Sequence, residues 1–118
     1  MATLITCLST GKGTWRHVSQ LIAQEDWDKI FLITNEFGKE KYTNDKPFET
    51  IVIDNNKPVE ELARDVKQAL DGNITDTEVA VNIISGAGNE HMAVLSAILQ
   101  SGLGIRFVVA GDEQMKTL

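Results

Sequence analysis

Residues 79–99 decide the fold, and their sequence is VAVNIISGAGNEHMAVLSAIL. The first six are mostly apolar and rich in β-forming side chains, which predicts a buried strand over residues 79–84. A glycine-rich turn follows at residues 85–89, and the apolar spacing in residues 90–99 predicts a helix. Such a turn brings backbone N–H groups and the positive end of a helix to one point. It is therefore suited to binding phosphate or another anion.

The composition predicts one ordered domain over residues 1–118. Of the 118 residues, 42% are hydrophobic and 24% are charged, which is typical of a globular protein with its own core. The net charge of −6 disfavours binding of long DNA or RNA by this domain alone, because such binding needs a basic surface. The sequence contains no secretory signal and no apolar run of membrane-spanning length. We therefore expect a cytoplasmic protein that does not associate with membranes.

The single cysteine, Cys7, lies inside a predicted strand. One cysteine cannot form a disulfide within the chain, and this usage fits a reducing compartment. We expect Cys7 to be a buried structural residue. No H-E-x-x-H or cysteine–histidine pattern is present, so the sequence predicts neither a metal site nor a cofactor.

Four further apolar runs predict strands, and helical patterns lie between them. The strands are predicted at residues 3–8, 29–34, 48–53 and 105–110. The helices are predicted to begin at Trp15 and to cover residues 36–42 and 58–70. Pro58 suits the first helical position, and Gly72 can close that helix in a left-handed conformation. Residues 111–118 are predicted to form a polar, frayed tail.

Strands that alternate with helices predict an α/β fold, a Rossmann-like three-layer sandwich with a mostly parallel five-stranded sheet. The simplest strand order is 3-2-1-4-5, which places the first and fourth strands side by side. Ligands of such sheets bind where the strand order reverses, beyond the carboxyl ends of the central strands. Two glycine-rich turns, residues 9–14 and residues 85–89, follow those two strands. We therefore expect the two turns to face each other and to form the functional site.

The first turn, STGKGT at residues 9–14, fits neither of two standard phosphate-binding motifs. A Walker A loop ends in Gly-Lys-Ser/Thr, whereas Lys12 is followed by Gly13. A dinucleotide-binding fingerprint needs a third glycine where Arg16 stands, although Glu36 occupies the place of a ribose-binding acid near the end of the second strand.

A third interpretation of the first turn is a general anion-binding loop. Its backbone N–H groups, the hydroxyls of Ser9, Thr10 and Thr14, and the charge of Lys12 would hold the anion. The alternative is a plain strand-to-helix turn whose glycines serve only the backbone geometry.

The second turn, SGAGN at residues 85–89, has the same two interpretations. Ser85 could bind a phosphate or ribose oxygen, while Asn89 could cap the helix instead. His91 and His17 lie one helical turn or less beyond the two turns, and each either transfers protons or serves packing or the surface. The candidates for a catalytic role are Lys12, Ser85 and His91.

The segment from Asn82 to Met92, NIISGAGNEHM, resembles the strand–turn–helix of CARF domains, the CRISPR-associated Rossmann-fold family. That family's motif has Asn, an apolar residue, Thr/Ser-Gly-Gly-Thr-Lys and a later Met. Asn82, Ser85, Gly86 and Met92 match it in type and order. The first turn, residues 9–14, resembles the family's other ligand loop.

The sequence departs from the motif at Ala87 and Asn89, and Glu90 replaces a common basic residue. The resemblance implies a homodimer that binds a cyclic oligoadenylate, the second messenger of type III CRISPR antiviral defence. It leaves open a small metal-independent ring nuclease, in which a ribose 2′-hydroxyl attacks the adjacent phosphate and a 2′,3′-cyclic phosphate results. A further alternative is a Rossmann-like dimerisation module with no ligand.

In the ring nuclease, Lys12 would supply charge, Ser9 and Ser85 hydrogen bonds, and His91 proton transfer. For the nucleotide-sensing function, the ligand-binding residues are expected to come from both turns. They are Ser9, Thr10, Gly11, Lys12, Gly13 and Thr14 of the first turn and Ser85, Gly86, Ala87, Gly88 and Asn89 of the second.

Overall fold

The computed structural model describes residues 2–8 and 12–118, with the side chain of Lys12 excepted. The strands are β1 (Thr3–Cys7), β2 (Lys29–Thr34), β3 (Glu49–Val52), β4 (Glu78–Asn82), β5 (Gly104–Val109) and β6 (Lys116–Thr117). The α-helices are α1 (Trp15–Ala23), α2 (Glu36–Lys41), α3 (Val59–Leu70) and α4 (Gly88–Gln100), and a short 3-10 helix (Lys12–Thr14) precedes α1.

The strands form a six-stranded sheet in the order β3-β2-β1-β4-β5-β6. The first five strands are parallel to their neighbours, and β6 is antiparallel to β5. In the register of the central strand, Leu4 lies opposite Ala80 of β4 and Ile30 of β2. This is the predicted Rossmann-like order with one strand added at the edge.

The two faces of the sheet are covered by different helices because successive strand residues point to opposite sides. Ile5 packs in one buried cluster with residues of α3 and α4, such as Leu62 and Ile98. Leu4 packs in a second cluster with residues of α1, such as Leu21. Every residue of β1 is buried, which explains its continuous apolar sequence and its place in the middle of the sheet.

The polar tail predicted at residues 111–118 is wrong in part, because it contains a strand. Thr117 of β6 pairs with Val108 of β5, and the side-chain amide of Gln24 binds both the N–H and the carbonyl of Gly111, at 3.0 and 2.8 Å. Two paired residues that lie exposed carry no apolar pattern, so the sequence does not reveal this strand.

Other differences are shifts of element ends. The helix predicted at residues 90–99 begins two residues earlier, at Gly88. The strand predicted at residues 79–84 ends at Asn82. Pro58 directly precedes α3 rather than starting it, and Gly72 beyond that helix has a φ of +76°, as predicted. No helix in the described part of the chain has the length and apolarity needed to cross a lipid bilayer.

Candidate functional site

The turns that follow β1 and β4 are joined by a side-chain hydrogen bond. The hydroxyl of Thr14 donates to Ser85 Oγ at 2.6 Å. The contact arises because β1 and β4 are neighbours in the sheet, so the segments after their carboxyl ends emerge side by side. The predicted proximity of the two turns is confirmed for Thr14 and Ser85. Ser9, Thr10, Gly11 and the side chain of Lys12 lie outside the described residues.

The second turn passes close to β1 because it contains a glycine in a left-handed conformation. Gly86 has a φ of +108°, and a Cβ placed there would lie 3.1 Å from His91 Nε2 and 3.3 Å from the Cβ of Cys7. Only glycine fits both the conformation and the space. Ser85 is 1% exposed, so its hydroxyl lies beneath the turn and connects it to Thr14.

His91, a residue of α4, forms a hydrogen bond with the backbone of the same turn. Its Nε2 lies 2.9 Å from the carbonyl oxygen of Ser85. Since a carbonyl oxygen can only accept, Nε2 carries a proton and donates it to this bond. His91 therefore holds the backbone of the turn in place, and a proton-transfer role for it would have to use Nδ1.

The N-terminus of α4 is capped by the carboxylate of Glu90, a residue of the same helix. Ala87 occupies the position before the helix, and its N–H donates to the carboxylate of Glu90 at 2.9 Å. Glu90 is buried, so a negative charge lies at the positive end of α4. Gly88 is the first helical residue. The alternative that Asn89 caps the helix is wrong, because Ala87 occupies the capping position. Asn89 lies inside α4, and its Nδ2 donates to the carbonyl oxygen of Asn55 at 3.4 Å.

Asn82 and His17 form a polar contact behind the second turn. Asn82 is buried, and its Nδ2 donates to the carbonyl oxygen of Val108 at 2.8 Å and lies 3.2 Å from His17 Nε2. The N–H of Ala110 also points to His17 Nε2, at 3.4 Å. Two N–H donors directed at one ring nitrogen require that nitrogen to be the acceptor. Burial lowers the pKa of His17, which also favours the neutral ring. These contacts support a packing role for His17.

Cys7 does not supply a nucleophile. Its side chain is fully buried under the second turn. Burial, and after it the charge of Glu90, raises the pKa of Cys7 to about 12, so the thiolate that would react is scarce near neutral pH.

A cavity of about 600 Å³ opens beside the two turns, over the carboxyl ends of β2 and β3. It is lined by residues 35–37 after β2, by residues 52–57 at the end of β3, and by Asp65 of α3. Of these residues, the sequence patterns described above pointed only to Glu36. The missed signal was the polar run Asp-Asn-Asn at residues 54–56, which follows the predicted strand at residues 48–53.

Within residues 2–8 and 12–118, no three His, Cys, Asp or Glu residues are grouped so as to hold a metal ion. Neither a protein-family model nor a curated protein sequence matches this chain.

Proposed function

We propose that this protein is a CARF-like sensor domain, a cytoplasmic homodimer that binds a cyclic oligoadenylate of type III CRISPR antiviral defence at the turns after β1 and β4. The observation that carries the proposal is the hydrogen bond between Thr14 and Ser85. It fixes the two turns together at the point where the strand order reverses, which is where open α/β sheets bind their ligands.

The proposed ligand chemistry is recognition of phosphate by backbone. Gly88 leaves the main chain of the second turn unobstructed, since a Cβ there would meet nothing within 4 Å. It also starts a 13-residue helix, whose positive end favours an anion. Lys12 of the first turn would add a positive charge. Glu90 opposes this effect, so we expect phosphate to lie toward the first turn, away from the buried carboxylate.

A homodimer is supported by exposed apolar side chains beside the second turn and along α4. Ile84, Met92 and Leu99 are 50%, 64% and 62% exposed. Met92 and Leu99 are seven residues apart on α4 and so lie on one face of it. A two-fold dimer formed through this face would bring two copies of the turns together, and a symmetric ring of nucleotides matches such a site.

The test is titration of the purified protein with cyclic tetra-adenylate and cyclic hexa-adenylate by isothermal calorimetry. We expect one of the rings to bind with one ring per two chains. The Lys12→Ala substitution should weaken binding by about tenfold, the effect of losing a hydrogen bond to a charged group. Ser85→Ala should also weaken binding, because it removes the hydrogen bond that joins the two turns. Thr75→Val, at an exposed position away from the turns, is the control and should bind normally.

Mass spectrometry of the recovered ligand separates the alternatives. Intact rings support the sensor, whereas linear products ending in a 2′,3′-cyclic phosphate would identify the ring nuclease. If neither ring binds, the proposal is overturned. In that case light scattering that still reports a dimer would support the dimerisation module.

A further inference from the structure

The cavity over the carboxyl ends of β2 and β3 has the size of a small-molecule site. Its volume of about 600 Å³ lies within the range of ligand pockets, roughly 300–1,000 Å³. It is built mainly by two segments that leave neighbouring parallel strands, so the sheet holds its walls at a fixed separation.

The charge of the lining excludes phosphate and favours a ligand that donates hydrogen bonds. Three carboxylates, those of Glu36, Asp54 and Asp65, face a single ammonium, that of Lys57. Lys57 is already paired with Asp65 at 2.9 Å. The remaining acids repel an anion, and carboxylates act only as hydrogen-bond acceptors. Groups that donate hydrogen bonds, such as the hydroxyls of a sugar, are complementary to these acceptors.

Asp54 is the best-positioned of these acceptors. Its Oδ1 receives the backbone N–H of Asn56 at 3.0 Å, and its carbonyl oxygen receives the N–H of Lys57 at 3.1 Å. These bonds fix the turn and the carboxylate orientation. A carboxylate accepts about four hydrogen bonds, so Asp54 retains the capacity to accept from two neighbouring hydroxyls of a sugar.

An aromatic ring borders the same cavity. Phe37 is 40% exposed, and its ring centroid lies 6.1 Å from that of Trp15. Packing against Trp15 limits the movement of Phe37 while leaving part of the ring accessible. An exposed, held aromatic ring is a surface on which a nucleobase stacks.

Residues of the cavity wall contact residues at or next to the two turns of the proposed phosphate site. Trp15, which packs on Phe37, is the residue directly after Thr14. On the other side, the carbonyl oxygen of Asn55 in the cavity wall contacts the side chain of Asn89 in the second turn. A ligand that extends from the second turn past Asn55 would therefore enter the cavity.

We propose that this cavity binds the nucleoside part of a ribonucleotide, with the base against Phe37 and the sugar hydroxyls on Asp54 and Glu36. The inference rests on the proposed function only in placing the phosphate of that nucleotide at the two turns. In a cyclic oligoadenylate the hydroxyl presented to the acids is the ribose 2′-hydroxyl.

The test uses adenosine, 2′-deoxyadenosine, AMP and inorganic phosphate as probes in NMR titrations of the backbone amides. We expect adenosine to shift the amides of residues 35–37 and 52–57 and to bind about tenfold more tightly than 2′-deoxyadenosine. Asp54→Asn should lower the affinity for adenosine and for AMP by about tenfold and leave the affinity for inorganic phosphate unchanged. Asparagine preserves the bond from the N–H of Asn56, so the turn remains folded.

Two matched variants complete the design. Asp112→Asn makes the same change at an exposed acid after β5 and should alter nothing. Phe37→Leu keeps an apolar side chain without the aromatic face, and it should lower the affinity for adenosine by about fivefold or more.

The inference is overturned if adenosine shifts no amide of the cavity, if 2′-deoxyadenosine binds equally well, or if Asp54→Asn leaves adenosine affinity unchanged. Its failure is distinct from that of the proposed function. Binding of adenosine in the cavity without binding of either cyclic ring would overturn the sensor proposal and support the nucleoside-binding cavity. Binding of a cyclic ring that is unaffected by Asp54→Asn would support the sensor proposal and overturn the nucleoside-binding cavity.

Discussion

Thr14 and Ser85, 71 residues apart in the chain, are joined by a 2.6 Å hydrogen bond between their hydroxyls. The bond links the start of α1 to the turn that precedes α4. Each turn therefore constrains the other, and the shape of the candidate site depends on both.

Removing this bond should destabilise the protein measurably. We expect Thr14→Val, which preserves the side-chain shape, to lower the free energy of unfolding by about 1 kcal/mol. A double-mutant cycle with Ser85→Ala, followed by urea unfolding, should give a coupling energy of about 0.5–1.5 kcal/mol. Thr75→Val, at an exposed threonine, should change stability by less than about 0.5 kcal/mol. A coupling energy of zero would show that the bond contributes nothing to the fold.

Two glycines of the second turn should respond oppositely to alanine. Gly86→Ala forces a side chain into a φ of +108° and against His91 and Cys7, and we expect a loss of about 2–4 kcal/mol. Gly88→Ala adds a methyl group that meets nothing within 4 Å at a helical position. It should be neutral or stabilising by up to about 1 kcal/mol. Thermal unfolding of both variants checks the contrast, and equal losses would contradict it.

His17 should make stability depend on pH. Its pKa is lowered from 6.5 by burial, and its Nε2 accepts from two N–H groups, so the folded protein holds the ring neutral. The unfolded chain then binds a proton that the folded chain resists. Stability from this group is complete well above pH 6.5 and is lost as the pH falls through 6.5 toward the lower folded value.

The measurement is urea unfolding at a series of pH values between about 8 and 5. His17→Gln retains a side-chain acceptor that does not titrate, so its stability should fall less steeply in the acid range. The difference in slope cannot exceed about 1.4 kcal/mol per pH unit, the limit for one proton. Parallel curves for the two proteins would rule out His17 as the source.

Glu90 should weaken anion binding at the second turn. Glu90→Gln keeps an oxygen that can accept the N–H of Ala87 and removes the negative charge. We expect the affinity for AMP or a cyclic oligoadenylate to rise by about fivefold, corresponding to about 1 kcal/mol of repulsion removed. The same change should cost about 0.5–1 kcal/mol of stability, because the charge favours the helix N-terminus.

Glu49→Gln is the control, since Glu49 is an exposed acid at the amino end of β3, at the opposite edge of the sheet from the two turns. Its ligand affinity should equal that of the unmodified protein. An unchanged affinity in Glu90→Gln would show that the anion does not approach α4.

Most of the fold could be predicted because the strands are continuous apolar runs. Residues 29–34 were assigned to a strand with the same limits as β2, since polar residues border the run on both sides. The strand ending at Asn82 was predicted too long because Ile83 and Ile84 extend the apolar pattern beyond the pairing. Strand β6 was missed because main-chain pairing, and no side-chain pattern, defines it.

The candidate site was predictable only as far as topology determines it. The strand order alone brings the turns after β1 and β4 together. The contact of Asn89 with Asn55 and the acceptor role of His17 depend on side-chain rotamers and on where a distant segment folds back. No local pattern of residues encodes those choices.

The central position of β1 has a consequence for the order of folding. β1 is made first, and β2 can pair with it early, but its other edge has no partner until Ala80 and its neighbours in β4 have been synthesised. Pairing across so much sequence slows folding, and an unpaired edge is a template for association with another chain. A half-sheet of β3, β2 and β1 would expose this edge of β1 for as long as β4 is absent. The Thr14–Ser85 bond can form only after the half-sheet has been completed by β4.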